Sequence, residues 1–189
     1  MKVGLLTFHN TLNYGAALQA YALQEAIKNI GADCEIIDYR NKYIEDSYNI
    51  LSHVKKALKK RNMRLAIKCC VASLFMKLRK QRFSRFYNEH LSLTSKHFTS
   101  SRELESLNRE FDKFVVGSDQ VWNYNIARSD FAYFLNFVHE NNKKIAYAPS
   151  FGLTAIPNDL KNAYIDNLKR IRYLSVRESY GAQLIKGLN

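Results

Sequence analysis

The chain has 189 residues, 47% of them hydrophobic and only two of them proline, which excludes a disordered chain and suits one domain with a full core. Lys and Arg number 29 against 17 Asp and Glu, a formal surplus of +12, but twelve of those basic residues fall between His53 and Phe86, from Lys55 to Arg85, with no acid among them. The remainder holds 17 basic against 17 acidic residues, so the charge is local and does not describe the whole surface.

Residues 2–8 form a short apolar run ending in polar His9-Asn10-Thr11, the pattern of a buried parallel strand that delivers a loop at its carboxyl end. The run is too short for a signal peptide or a membrane span, so a cytoplasmic start is expected. Ala16, Ala20, Leu23, Ile27 and Ile30 recur at helical spacing, and Gly31 stands where a helix C′ glycine belongs. Residues 33–39 read as a second strand, which completes a βαβ unit. A polar connection over residues 40–52 leads to the basic segment, a helical insert of about residues 53–90 that reads as two helices or one broken one. After Leu91-Ser92-Leu93-Thr94 comes a turn-rich stretch, then a short helix over residues 101–109 with Ser101 as cap and Glu105 in its first turn. Residues 112–117 (FDKFVVG) and 144–148 (KIAYA) read as strands, 159–170 as a helix, 172–177 as a strand and 179–187 as a last helix. The whole is an α/β, Rossmann-like parallel sheet flanked by helices, without repeats or linkers, and residues 1–189 count as a single domain. Its final helix signal runs to Asn189 with no polar tail, which reads as a chain cut short.

Three cysteines, with Cys69 and Cys70 adjacent and Cys34 alone, offer no disulfide framework and no CxxC zinc pattern, and read as reduced, buried thiols. The five histidines show no HExxH or HxxxH spacing, so no metal is assigned. Only His9 stands at a strand end, where it can touch a ligand.

In a parallel sheet the ligand site gathers at the carboxyl ends of the strands. Four loops qualify. In the first, residues 9–15, Asn13 and Gly15 precede a helix whose amides can face an anion, or else form a capped turn with glycine for conformation alone. One glycine does not make the dinucleotide fingerprint, so Asp38 at the next strand end is weak evidence for a ribose site. In the second, Gly117-Ser118-Asp119-Gln120-Val121-Trp122-Asn123, Asp119 and Gln120 are taken for the site and Trp122 for the core. The third presents Ser150 after Pro149, a turn former with no nucleophile elbow around it. In the fourth, Arg177 and Glu178 pair with each other or reach substrate, and Ser179 caps the last helix.

HNTLNYGAALQAYALQEAI, FDKFVVGSDQVWN, KKIAYAPSFG and LSVRESYG, in this order and spacing, resemble the polysaccharide pyruvyl transferase family from residue 2 to about residue 181, with the basic helices as a variable insert. The resemblance implies the N-terminal half of a two-domain, GT-B-type fold, with the C-terminal domain, which carries much of the donor-binding machinery, absent from this chain. It further implies transfer of a pyruvyl group from phosphoenolpyruvate, a donor substrate and not a cofactor, to a sugar of a surface or exopolysaccharide as a cyclic ketal. Asn13, Gly15, Gly117, Ser118, Asp119, Gln120, Ser150 and Arg177 match the family's strand-end motifs. Asp119 is assigned to orient or deprotonate the acceptor, and the others, with His9, to binding. The alternatives are a glycosyltransferase-like enzyme with another donor and a non-catalytic module that holds a glycan or lipid carrier.

The basic segment has four readings. Its charges suit nucleic acid, with Phe75, Phe83 and Phe86 as stacking faces, but no nucleic-acid motif accompanies them and none is expected to bind. They suit an anionic membrane surface, with Leu65, Ile67, Val71, Leu74, Phe75, Met76 and Leu78 as the apolar side, placing the protein peripherally at the inner face of the plasma membrane. They suit an anionic or lipid-linked glycan carrier. The favoured reading is a solvated helix pair whose apolar side packs on the domain, leaving the cleft loops untouched by the insert.

Overall fold

The computed structural model describes residues 1–47, 63–128 and 130–188. Six strands, β1 (Lys2–Leu6), β2 (Asp33–Tyr39), β3 (Leu93–Phe98), β4 (Lys113–Val116), β5 (Lys144–Ala146) and β6 (Tyr173–Leu174), pair in parallel throughout, in the order β3-β2-β1-β4-β5-β6. Parallel neighbours need crossovers, and α1 (Tyr14–Asn29), α2 (Lys42–Ser47), α3 (Met63–His90), α4 (Ser101–Leu104), α5 (Tyr124–Ala127) and α6 (Lys161–Leu168) lie in them, while α7 (Ser179–Lys186) follows the last strand. The architecture is the expected Rossmann-like α/β sheet with helices on its faces.

Both faces are apolar because alternate strand residues point to opposite sides. Val3, Leu5, Cys34, Ile36 and Val115 pack on one side with Ala17, Ala20, Leu23 and Ile27 of α1 and Phe83 and Tyr87 of α3. Leu6, Ile37, Tyr39, Phe114 and Val116 pack on the other with Trp122, Tyr133, Phe134, Tyr164 and Leu168. Trp122 lies in the core as expected: its ring stacks on Phe134 with centroids 5.1 Å apart, and Nε1 donates to the Tyr133 carbonyl at 2.9 Å. Cys34 is a free buried thiol, pushed up to about 12 chiefly by burial. The side chains of Cys69 and Cys70 lie outside the described residues, as do residues 53–62 of the basic segment. Over residues 63–90 that segment is one continuous helix, and the expected second helix or break could fall only on residues outside the described ones.

The departures from the sequence reading are local. Residues 93–98 form an edge strand where only turns were expected, because LTSKHF exposes much of its length and lacks the apolar run of a central strand. Gly31 takes φ +86 as a C′ glycine should, but Ile30 before it is 80% exposed at the C-cap and leaves the apolar stripe. Ser100, not Ser101, caps α4, its hydroxyl accepting from Glu103 N, and Glu103 is the first-turn acid; residues Glu105–Arg109 continue as a 3-10 turn. Glu178, not Ser179, occupies the N-cap of α7, and β6 shrinks to two residues at the sheet's other edge.

One core group is poorly matched to its place. Lys144 begins β5 in register with Phe114, is fully buried, and its Nζ has no hydrogen-bond partner among the described residues. Burial, and to a lesser degree Arg170, pulls the ammonium from 10.5 down to about 8. The folded state holds fewer protons than the unfolded chain between those values, so stability rises with pH through that window and the penalty is complete below it. Lys144→Met is therefore expected to raise the unfolding free energy near neutral pH by about 2–3 kcal/mol. Urea unfolding followed against pH should also lose the wild-type rise between about 8 and 10.5 in this variant.

Candidate active site

With this strand order the chain runs outward in opposite directions from β1 and β4, and the switch point at their carboxyl ends is where a sheet of this kind binds its ligand. Gln19 of α1 spans it. Its Nε2 donates to Thr7 Oγ1 at 2.8 Å and to the Phe8 carbonyl at 3.3 Å, and its Oε1 accepts from Ser118 N at 3.2 Å. One side-chain amide thus fixes the loop after β1 against the loop after β4.

The loop after β1 is held from below by the start of α1. Asn13 Oδ1 accepts from Gly15 N at 2.8 Å and Ala16 N at 3.3 Å, satisfying helix-end donors that would otherwise face solvent. Gly15 sits inside the first helical turn. A Cβ there would lie 3.2 Å from Asn13 Oδ1, so glycine serves the close cap contact. Helix α3 also grips this loop: Arg79 Nη2 donates to the Leu12 carbonyl at 2.7 Å, its guanidinium lies over the Tyr14 and Phe83 rings, and the Tyr87 hydroxyl donates to the Thr11 carbonyl. The basic helix therefore touches the cleft, contrary to the expectation that it stood apart.

His9 is buried, with Nε2 3.0 Å from Asp38 Oδ1 and Nδ1 3.3 Å from the Thr7 carbonyl. Arg40 completes the group, Nε and Nη2 donating to the two Asp38 oxygens at 3.0 and 2.9 Å. Burial alone would raise the Asp38 carboxyl, but the His9 and Arg40 contacts outweigh it and hold Asp38 well below the usual carboxylate range. Beside them lies a small recess of about 10 Å³, no more than water-sized, lined by Thr7, His9, Thr11, Tyr39, Asn41 and Tyr133 among others, and the buried Thr11 hydroxyl has no hydrogen-bond partner among the described residues. A wider, open groove of about 540 Å³ shares Tyr39 and Asn41 and adds Lys42, Tyr43, Thr99, Arg128 and Asp130.

After β4 the backbone passes very close to its neighbour. Gly117 has φ +132, and a Cβ there would stand 1.9 Å from the Tyr147 carbonyl oxygen, so only glycine fits. The Gly117–Ser118 peptide is cis. Asp119 is half-buried; its Oδ1 accepts from Gln120 N at 2.7 Å and its carbonyl accepts from Ser150 N at 2.9 Å. Burial raises the Asp119 carboxyl, against smaller lowering effects from Gln120 N–H and the Arg177 charge. Gln120 Oε1 accepts from Asn123 Nδ2 at 3.1 Å, and the pair packs so tightly under Gly152 that a Cβ on that glycine would meet Oε1 at 2.5 Å. Ser150 is fully buried, its hydroxyl accepting from Gly152 N at 3.0 Å, so it shapes the turn. Arg177 is exposed, bonded through Nε to Glu178 at 2.8 Å, with its backbone N–H on the Pro149 carbonyl.

The family model for polysaccharide pyruvyl transferases matches residues 13–189. The chain belongs to the polysaccharide pyruvyl transferase family. Comparison with curated proteins and with solved structures found no match. The family match takes in Asn13, Gly15, residues 117–120, Ser150 and Arg177, whereas His9 and β1 precede it. The structure places those residues in two groups, one around His9, Asn13 and Gly15 and one around Asp119, Gln120, Ser150 and Arg177, joined through Gln19 and Ser118. Among the described residues no group of three or more His, Cys, Asp or Glu stands ready to hold a metal ion.

Sequence reasoning missed Gln19, Arg40, Arg79 and Tyr87. A glutamine between Ala16 and Ala20 of the buried stripe was the available signal for the first; the other three act through contacts distant in sequence or through a strand end valued only for its acid. The Asp38 network has a pH signature. A carboxyl depressed in the folded state stabilises above its unfolded pKa, and that stability is lost as pH falls. Asp38→Asn is expected to cost about 1–3 kcal/mol near neutral pH and progressively less through the ordinary carboxylate range and below it. Urea unfolding across pH checks this, and an equal cost at every pH would contradict it.

Proposed function

We propose that the chain forms the acceptor-binding side of an enzyme that transfers a pyruvyl group from phosphoenolpyruvate to a glycan or lipid-linked oligosaccharide of a surface or exopolysaccharide, on the cytoplasmic side of the membrane. The observation that carries this reading is the family match over residues 13–189, whose strand-end motifs follow β1, β4 and β5 around the sheet's switch point. The unpartnered Thr11 hydroxyl and the groove beside Tyr39, Asn41 and exposed Tyr43 support a hydroxyl-rich ligand, since sugars bind through hydrogen bonds and an aromatic face.

Ketal formation joins one donor carbon to two acceptor hydroxyls. The methylene carbon of phosphoenolpyruvate takes a proton, the neighbouring carbon becomes electron-poor, and the first hydroxyl oxygen adds to it. Phosphate then leaves with the bridging oxygen, and the second hydroxyl closes the ring. Of the two hydroxyl protons released, one balances the new methyl group and the other departs with phosphate. A base beside the acceptor makes its hydroxyl nucleophilic, and Asp119 is the residue assigned to it. Its raised pKa makes its ionised form a stronger proton acceptor than an ordinary aspartate. Gln120 N–H holds that carboxylate and Ser150 N–H holds the Asp119 carbonyl, and Arg177 sets a positive charge near it.

Incubation of the protein with phosphoenolpyruvate and candidate glycans is expected to release phosphate and give a new ketal methyl proton resonance. Asp119→Asn should lower kcat about 10²–10⁴-fold without lowering the melting temperature near neutral pH. The sign follows from the raised carboxyl: the folded state holds more protons than the unfolded chain through the ordinary carboxylate range, so ionising Asp119 at higher pH costs stability that asparagine does not. Full activity in Asp119→Asn would remove it from the chemistry. Glycan binding without phosphate release would favour the non-catalytic module, and turnover with a different donor would favour the glycosyltransferase-like alternative.

A further inference from the structure

Helix α3 divides into two halves among its described side chains. Toward its carboxyl end it is a packing helix: Phe83 is 4% exposed, Tyr87 is buried, and the Phe86 and His90 rings meet Tyr21 of α1. Earlier, from Phe75 to Arg82, every residue is exposed except half-buried Met76. Phe75 is 70% and Leu78 58% exposed, and with Arg79 and Arg82 they follow the i, i+3, i+4, i+7 spacing of one helical stripe. Lys77, Lys80 and Arg82 are in no ion pair among the described residues, whereas Arg85 is paired with Glu89 at 2.7 Å. Exposed Tyr14, under the Arg79 guanidinium, and Leu18 one turn further along α1 extend the apolar surface.

We propose that residues 75–85 of α3 are a docking surface for an anionic membrane, set beside the switch point. A helix face that only met water has no use for a phenylalanine and a leucine on the same stripe as its cations. At a bilayer surface the apolar pair enters the headgroup boundary while the lysines and arginines meet anionic headgroups, two contributions that add. Nucleic acid fits less well: of the three phenylalanines available to stack on bases, Phe83 is buried and Phe86 is half-buried against α1, and Phe75 alone stays open. No helix among the described residues is long and apolar enough to cross a membrane, so the contact is peripheral. Arg79 and Tyr87 hold the carbonyls of Leu12 and Thr11, so the docked helix sets the cleft loop next to the bilayer. If the acceptor is lipid-linked, it is presented at that loop; this last consequence rests on the proposed transferase reading, whereas membrane binding does not.

The test is co-sedimentation of the chain with vesicles of pure phosphatidylcholine and of phosphatidylcholine with phosphatidylglycerol, at low and high salt, an assay that needs no turnover. Binding to the anionic vesicles alone, released by salt, is expected. Lys77→Glu with Lys80→Glu and Arg82→Glu should weaken it on the order of a hundredfold, and Phe75→Ser with Leu78→Ser roughly tenfold or more, with circular dichroism showing both variants folded. Arg79 is left intact because it supports the cleft loop. Absence of vesicle binding, equal binding to both vesicle types, or anionic binding that both folded variants retain would overturn the proposal. So would tight binding of a single-stranded homopolymeric RNA by a chain that ignores the vesicles.

Discussion

The carboxyl edge of the sheet depends on the Gln19 side-chain amide. The Gly117 N–H bond to the Leu6 carbonyl at 3.3 Å brings the loops after β1 and β4 together at their start, and beyond it the strand pairing does not set the distance between Thr7-Phe8 and Ser118. Gln19 sets it, donating to the first loop and accepting from the second. The amide can do this because α1 is fixed independently: its apolar stripe is buried on β1 and β2, and Asn13 closes its first turn. A net hydrogen bond contributes only about 1 kcal/mol, so the value of this arrangement lies in position more than in stability. It places a family motif on each side of the switch point.

Around that bridge the polar residues fall into two kinds. Ser150, Gln120, Asn13 and Gly15 are committed to the fold, filling a turn, a cap or a close contact, and their presence in the motifs is explained by the loop shapes that they maintain. Asp119 and Thr11 are different. Burial works against the ionised form of Asp119, and the Thr11 hydroxyl is buried with no hydrogen-bond partner among the described residues. Groups that a fold carries at a cost are where function is sought. Lys144 shows that such a cost can also stand apart from the switch point, since it begins β5 at the opposite end of that strand from the turn after it.

The central strands were legible because β1, β2 and β4 are buried on both faces and read as apolar runs, and α1 because its stripe keeps a 3.6-residue period. The sheet's edges were not: β3 reads LTSKHF, with polar residues where a central strand would have none, and β6 has only two residues. The cleft was legible as a set of loops, since parallel sheets put ligands at strand ends and four strand ends carried distinctive residues. Its internal wiring was not. Gln19 and Ser118 are 99 residues apart, Tyr87 and Thr11 are 76 apart, and no local pattern pairs them. The basic insert is the clearest case: counting charges put it outside the cleft, yet Arg79 and Tyr87 reach from it to the carbonyls of the first loop.

The proposed acceptor surface is the switch point between the loops after β1 and β4. Backbone amide resonances of the chain, followed as hexose oligosaccharides with adjacent free hydroxyls are titrated in, test this residue by residue. Shifts concentrated in residues 7–15, 38–43 and 117–123 are the expected result. Shifts confined to the amino edge of the sheet, around Ala32, Asp112 and Lys143, with the switch-point amides unmoved, would contradict it.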